Sequence, residues 1–214
     1  MNTLRFSIPL AFLLASVLVA CNQEHAEKML PYYGFHDVNP NTGDTIYHTI
    51  PDFEFINQDS QLITNATFEG KIYVADFFFT SCPTICPKVA QQMLRLHDRY
   101  LQNDRLLLLS HSIDIKHDTV PRLKEYAEKL QVQSSKWHFV TGDRDAIYGI
   151  GDDYMSIAKE DPNAPGGFDH SGWLLLIDEN RHIRAYCDGT NPEAVTKFMT
   201  DVDWLLAHPA GFKE

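Results

Sequence analysis

Apolar residues in this chain recur with two periods. From about residue 50 onward, short β-branched and aromatic runs give way to stretches with apolar positions every three or four residues. Phe53-Glu54-Phe55-Ile56 and Leu62-Ile63-Thr64 flank the polar Asn57-Gln58-Asp59-Ser60 and predict a hairpin. Residues 71–79 form a run long enough for a buried strand. Val89, Met93, Leu94, Leu96 and Leu101 lie at helical spacing and predict a helix over residues 84–101. Residues 105–111, with four consecutive leucines, predict a second buried strand. Residues 120–130 predict an amphipathic helix, with Asp118-Thr119 as its cap and Pro121 in its first turn. A short strand (137–140), a short helix (143–150), a Pro- and Gly-rich loop (161–168), a hairpin around Glu179-Asn180 and a last helix (192–206) follow.

This order is hairpin, then alternating strands and helices, then a terminal hairpin closed by a helix. It predicts an α/β chain of thioredoxin-like fold, with a central mixed sheet flanked by helices. Residues 22–47 are polar and broken by Pro31, Gly34, Pro40 and Gly43, and are read as a tether leading into an irregular N-terminal extension, with the N-terminal β-hairpin expected only at residues 53–64. Tyr32, Tyr33 and Phe35 are expected to dock that extension on the domain, which spans residues 48–214. No internal repeat is visible.

The first twenty residues do not fit this pattern. Arg5 precedes an apolar run over residues 6–20, too short for a membrane span of about 20 apolar residues but matching a secretory signal. The run ends in Leu18-Val19-Ala20-Cys21, which resembles the lipobox of bacterial lipoproteins; that resemblance implies acylation of Cys21 and a bacterial, extracytoplasmic, lipid-anchored protein on the periplasmic side. An ordinary cleaved signal is the alternative. The formal charge of −11 argues against a nucleic-acid partner. It suits a basic partner, a cationic cargo or simple solubility.

The remaining cysteines are too few for a disulfide scaffold. Cys82 and Cys86 lie in Thr80-Ser81-Cys82-Pro83-Thr84-Ile85-Cys86-Pro87, where a strand is expected to hand over to a helix. Sites in open α/β sheets gather at such carboxyl ends. Free amides and the helix dipole are expected to lower both thiol pKa values there. The pair could close a disulfide or hold a soft metal ion. A redox thioredoxin separates its cysteines by two residues and places proline before the facing strand. Here the spacer is three residues, and Asp169-His170-Ser171-Gly172 offers His170. Two thiolates and an imidazole suit Cu(I) and tolerate Cu(II), whereas zinc usually takes a fourth ligand or a water.

The cysteine segment, Ser112-Ile113-Asp114 with Asp118-Thr119, and Asp169-His170-Ser171 together resemble the motifs of the Sco/SenC family, over roughly residues 51–206. The resemblance implies a thioredoxin-like, membrane-anchored copper chaperone serving the CuA-bearing subunit of cytochrome c oxidase. It implies Cys82, Cys86 and His170 as the metal ligands. Some members act instead as thiol-disulfide reductants, so another copper chaperone or a thiol reductant is a further possible partner, and Cys82–Cys86 a possible redox pair.

Other residues carry smaller expectations. Asp114 and Asp118 either order a loop around the site or cap a helix. Phe77, Phe78 and Phe79 are read as sheet core, Cys187 as a small buried hydrophobe, and Met155 as core rather than a spare ligand. His111, His117 and His138 lie near strand ends, and most histidines other than His170 are expected to face solvent. A peroxidase needs an arginine beside its thiolate; none lies within eight residues of Cys82 or Cys86.

Overall fold

The structure, a computed structural model, describes residues 29–209. The signal over residues 1–20 and the lipobox cysteine Cys21 lie outside the described residues. No described helix is long and apolar enough to cross a membrane.

The core is a seven-stranded mixed sheet. In chain order its strands are β3 (Glu54–Asn57), β4 (Leu62–Thr64), β5 (Ile72–Phe78), β6 (Leu106–Ser112), β7 (Trp137–Thr141), β10 (Trp173–Ile177) and β11 (Ile183–Asp188). Across the sheet they run β11-β10-β5-β6-β7-β3-β4. β5, β6 and β7 are mutually parallel; β10, β11, β3 and β4 pair antiparallel. Every residue of β5 and β6 is buried, as expected of central strands covered on both faces. Adjacent side chains on β5 therefore enter different layers. Phe78 meets Tyr126 of α2 (Val120–Leu130), whereas Phe77 meets Tyr154, the residue that caps α3 (Arg144–Asp153). Helices α1 (Cys86–Arg99) and α4 (Pro192–Ala207) touch through Arg95, which donates to Pro192 O and Thr196 Oγ1. The Gln58 side chain binds one edge of β7, donating to Trp137 O (2.7 Å) and accepting from Phe139 N (2.9 Å).

Two features depart from the sequence reading. A small separate hairpin, β8 (Ala158–Glu160) with β9 (Phe168–His170), rises between α3 and β10. Three-residue strands flanking Pro162, Pro165, Gly166 and Gly167 are too short to show a period, so the segment reads as loop. The N-terminal extension, expected to be irregular, forms a short hairpin, β1 (Asp37–Val38) with β2 (Thr45–Ile46), because two-residue strands leave no period to read. Tyr33 docks by bridging to Ile183, but Phe35 is 78% exposed and does not dock. The clamp is Arg184. Its guanidinium donates to Leu30 O (2.6 Å) and Pro31 O (3.1 Å), pairs with Asp178 (2.9 Å) and lies over the Tyr32 ring (4.0 Å).

The histidines also depart from expectation. His111 is fully buried in a cage of Phe53, Phe55, Phe77 and Tyr154, with Nε2 lacking a hydrogen-bond partner. His138 is buried and accepts from Asn57 Nδ2 (3.2 Å), and His97 is buried on α1. Only His36 and His117 are exposed among the described histidines. A strand buried on both faces hides a polar residue as readily as an apolar one.

Burial holds the pKa of both His111 and His138 down at about 4. The unfolded chain binds protons at these sites from about 6.5 downward, so stability falls as pH drops from about 6.5 towards 4. Burial has the reverse effect on Asp76, raising its pKa to about 7 against a hydrogen bond from Ser110, which favours the fold in acid. The His111 contribution is therefore read by difference. His111→Phe keeps the ring stack and is expected to remove about 3 kcal/mol of the stability lost across that window, measured by urea unfolding at several pH values. An unchanged pH slope contradicts this assignment.

Candidate metal centre

β5 ends at Phe78, paired onward through the Ile113 N–H to Phe78 O bond (2.9 Å). The chain then turns through residues 79–85 before α1 begins at Cys86, two residues later than the helical spacing suggests. The delay has a cause in the neighbouring loop. The fully buried Asp118 carboxylate accepts from Thr80 N (2.9 Å), Thr80 Oγ1 (2.5 Å) and Ser112 Oγ (2.6 Å). Arg122, one turn into α2, donates from Nε to Thr80 Oγ1 (3.1 Å). These bonds hold Thr80 as loop, and a Cys82 N–H to Phe79 O bond (3.2 Å) tightens the turn. Pro87 occupies the first turn of α1, where its missing donor costs nothing. Asp118 is therefore not a helix cap. Thr119 holds the N-cap position of α2 without a side-chain bond. Asp114 orders its own loop, meeting His117 Nδ1 at 2.8 and 3.0 Å.

The third component arrives on the β8–β9 hairpin. Its last residue is His170, and the next, Ser171, bonds Ser156 (Oγ–Oγ 2.6 Å) and Ile157 O (3.1 Å) across the base of the hairpin. The hairpin lies on the cysteine loop. Phe168 and His170 both pack on Phe79, at 5.0 and 5.5 Å between ring centres. Gly166 makes that approach possible: its φ is +82°, and a Cβ there would sit 2.7 Å from the Phe79 ring.

The result is a convergent donor set. His170 Nε2 lies 3.7 Å from Cys82 Sγ and 3.4 Å from Cys86 Sγ, and all three donor atoms fall within 4.8 Å of one another. Among the described residues no other group of three or more cysteine, histidine or acidic side chains is so placed. Both thiols are buried and the imidazole is partly so. This chemistry fits a soft metal ion: two sulfurs, one imidazole nitrogen and an apolar seat.

The two thiols are electrostatically unequal, contrary to the expectation that both would be acidified. Burial opposes ionisation of Cys82, but hydrogen bonds from the backbone of Thr84 and Cys86 and from their side chains outweigh it and lower its pKa. Cys86 lies deeper. Burial pushes its pKa far up, and the nearby Cys82 adds to the rise despite a backbone hydrogen bond at Phe79. Burial also lowers the pKa of His170, against the backbone of Ser171, the Asp169 charge and the backbone of Phe77. The imidazole is thereby kept neutral, the form that binds metal. Cys187 sits in β11, buried as expected, and burial lifts its pKa to about 12. Met155 packs against the core.

Sequence reasoning missed Arg122 and the seat formed by Phe79, Phe168 and Gly166. Counting arginines along the chain overlooked one that folds back onto Thr80. The signal was present: Asp118 and Arg122 are four residues apart at the start of a predicted helix, close enough to act on one loop.

Known proteins share both the fold and the sequence pattern. The SCO1/SenC family model matches residues 42–205. A Bacillus subtilis protein described as a SCO1 homolog is 31% identical over 100 residues, 46% of this chain and 52% of its own, so the match spans about half of that relative. The solved structure of a SCO1/SenC family lipoprotein from Bacillus anthracis is 27% identical, with a TM-score of 0.68 over 74% of this chain and 95% of that one. ScoI of Arabidopsis thaliana, solved with copper bound, shares the fold at 21% identity and a TM-score of 0.61, over 73% of this chain and 97% of its own. With the family pattern running from the N-terminal extension to the last helix, this chain belongs to the SCO1/SenC family.

Proposed function

We propose that this protein is a copper metallochaperone of the bacterial cell envelope, held on the extracytoplasmic side by a lipid on Cys21. The observation that carries the proposal is the convergence of Cys82, Cys86 and His170 within 4.8 Å. Soft thiolates with one imidazole favour Cu(I), and the same set accommodates Cu(II). A three-donor site leaves room for an incoming ligand. Ser81, Pro83 and Thr84 are exposed around Cys82, so a partner thiol or imidazole can approach from that side. Copper is the cargo, and handover proceeds by ligand exchange. The recipient in this reading is the CuA-bearing subunit of cytochrome c oxidase, as the resemblance of the motifs to the family implies.

Anaerobically reduced protein is expected to take up one Cu(I) per chain, read by metal analysis after gel filtration, and Cys82→Ser or Cys86→Ser to weaken that binding by about tenfold or more, read by competition with a Cu(I) chelator. His170→Ala is expected to weaken Cu(II) binding by about tenfold or more, a loss of at least about 1.4 kcal/mol. Failure of the reduced protein to bind copper, or an unchanged Cu(II) affinity in His170→Ala, contradicts the proposal.

The unequal thiols support a second reading, thiol-disulfide exchange on a copper-site partner. Cys82 has the thiolate character of an attacking group, while Cys86 stays protonated until it closes the internal disulfide. The dithiol supplies two electrons and two protons, and the partner's disulfide leaves as two thiols. Iodoacetamide is expected to alkylate Cys82 well before Cys86 in the reduced, metal-free protein, read by peptide mass spectrometry. Equal rates contradict this reading. Full reductase activity in a His170→Ala protein that has lost copper separates the two roles.

A further inference from the structure

Exposed apolar side chains are unevenly spread over this molecule. Among the described residues nine large hydrophobic side chains are exposed, and five of them, Met29, Phe35, Val38, Ile46 and Tyr47, belong to the N-terminal extension. From residue 29 to residue 47 the charged side chains are Asp37 and Asp44, with no lysine or arginine. The surface is apolar and aromatic with hardly any charge, as in segments that rest in the headgroup region of a bilayer.

The extension is also held rigidly to the domain. Arg184 grips the carbonyls of Leu30 and Pro31, and Tyr32 stacks on Tyr47 (4.2 Å). Gly34, with φ +121°, passes so close to His48 that a Cβ would lie 2.5 Å from that side chain. Only glycine fits there, and the next residue, Phe35, projects outward at 78% exposure. In the β1–β2 ladder Val38 faces Thr45 and Ile46 faces Asp37, so the two aliphatic residues lie on opposite faces. Each face of the hairpin therefore presents one exposed aliphatic side chain beside one polar one.

The chain preceding the hairpin indicates what covers it. Nine residue steps separate Cys21 from the docked Leu30. Even fully extended they span at most about 30 Å. We propose that the β1–β2 hairpin, led by Phe35, Val38 and Ile46, rests in the headgroup region of the membrane that holds the Cys21 lipid. This inference rests on the lipid-anchor reading above. The contact is hydrophobic, because the segment has no cation to attract anionic lipid. The hairpin fixes how the domain stands on the membrane, which a flexible tether alone would not do.

The test uses the full mature chain with Phe35→Trp, reconstituted in phosphatidylcholine vesicles with or without brominated acyl chains; the parent chain, with Trp137, Trp173 and Trp204, supplies the baseline. The added tryptophan is expected to lose about half its emission or more to brominated lipid, and to do so equally at low and high salt. Emission no more quenched than the parent's overturns the proposal, as does emission that responds to protein concentration but not to bromine, since a second copy then covers the hairpin. Mass spectrometry of the same protein reads the anchor separately. An acylated Cys21 with no quenching of the added indole overturns the membrane-resting hairpin alone; an unacylated Cys21 overturns the anchor reading and this one with it.

Discussion

One buried carboxylate organises the metal centre without belonging to it. Asp118 accepts three hydrogen bonds, two from Thr80 and one from Ser112, in a place closed to solvent. Such an acceptor is costly to bury and remains only when fully satisfied. Its bonds tie the ends of β5 and β6 to the start of α2, so the cysteine loop leaves the sheet in one direction. Cys82 then lies in the loop and Cys86 in the first helical position, and both sulfurs face the place where the hairpin delivers His170. Arg122 closes the same network from α2.

The centre is thus assembled from three segments far apart in the chain, each fixed by a different force. Hydrogen bonding to Asp118 places the cysteine loop. Aromatic packing of Phe168 on Phe79, allowed by Gly166, places the hairpin. The hydroxyl contact between Ser156 and Ser171 closes the hairpin beside His170. Depth then separates the thiols: the loop cysteine is acidified by hydrogen bonds and the helix cysteine is silenced by burial. A site with one acidified and one protonated thiol suits both metal release by exchange and disulfide chemistry.

Much of this was legible in the sequence, for physical reasons. β5, β6 and α2 are long and strongly patterned, and the span of α2 matches its apolar period. The approach of His170 to Cys82 and Cys86 followed from the strand order and the missing proline. The rest depended on contacts remote in sequence. β8 and β9 are each three residues long and exist because they pair. His111 and His138 read as surface residues, since a strand buried on both faces gives no alternation to mark a hidden imidazole. Asp118 read equally as a loop-ordering group or a helix cap, and the choice stayed open because its partners, Thr80 and Ser112, come from other elements. Cys86 read as acidified because the helix dipole is visible in a sequence and desolvation is not.

Extended X-ray absorption at the copper edge of the protein loaded with one Cu(I) tests the central claim most directly. The account predicts two sulfur scatterers and one imidazole nitrogen, with the nitrogen lost in His170→Ala and one sulfur lost in Cys86→Ser. A copper shell with no sulfur, or one unchanged by either substitution, would contradict it.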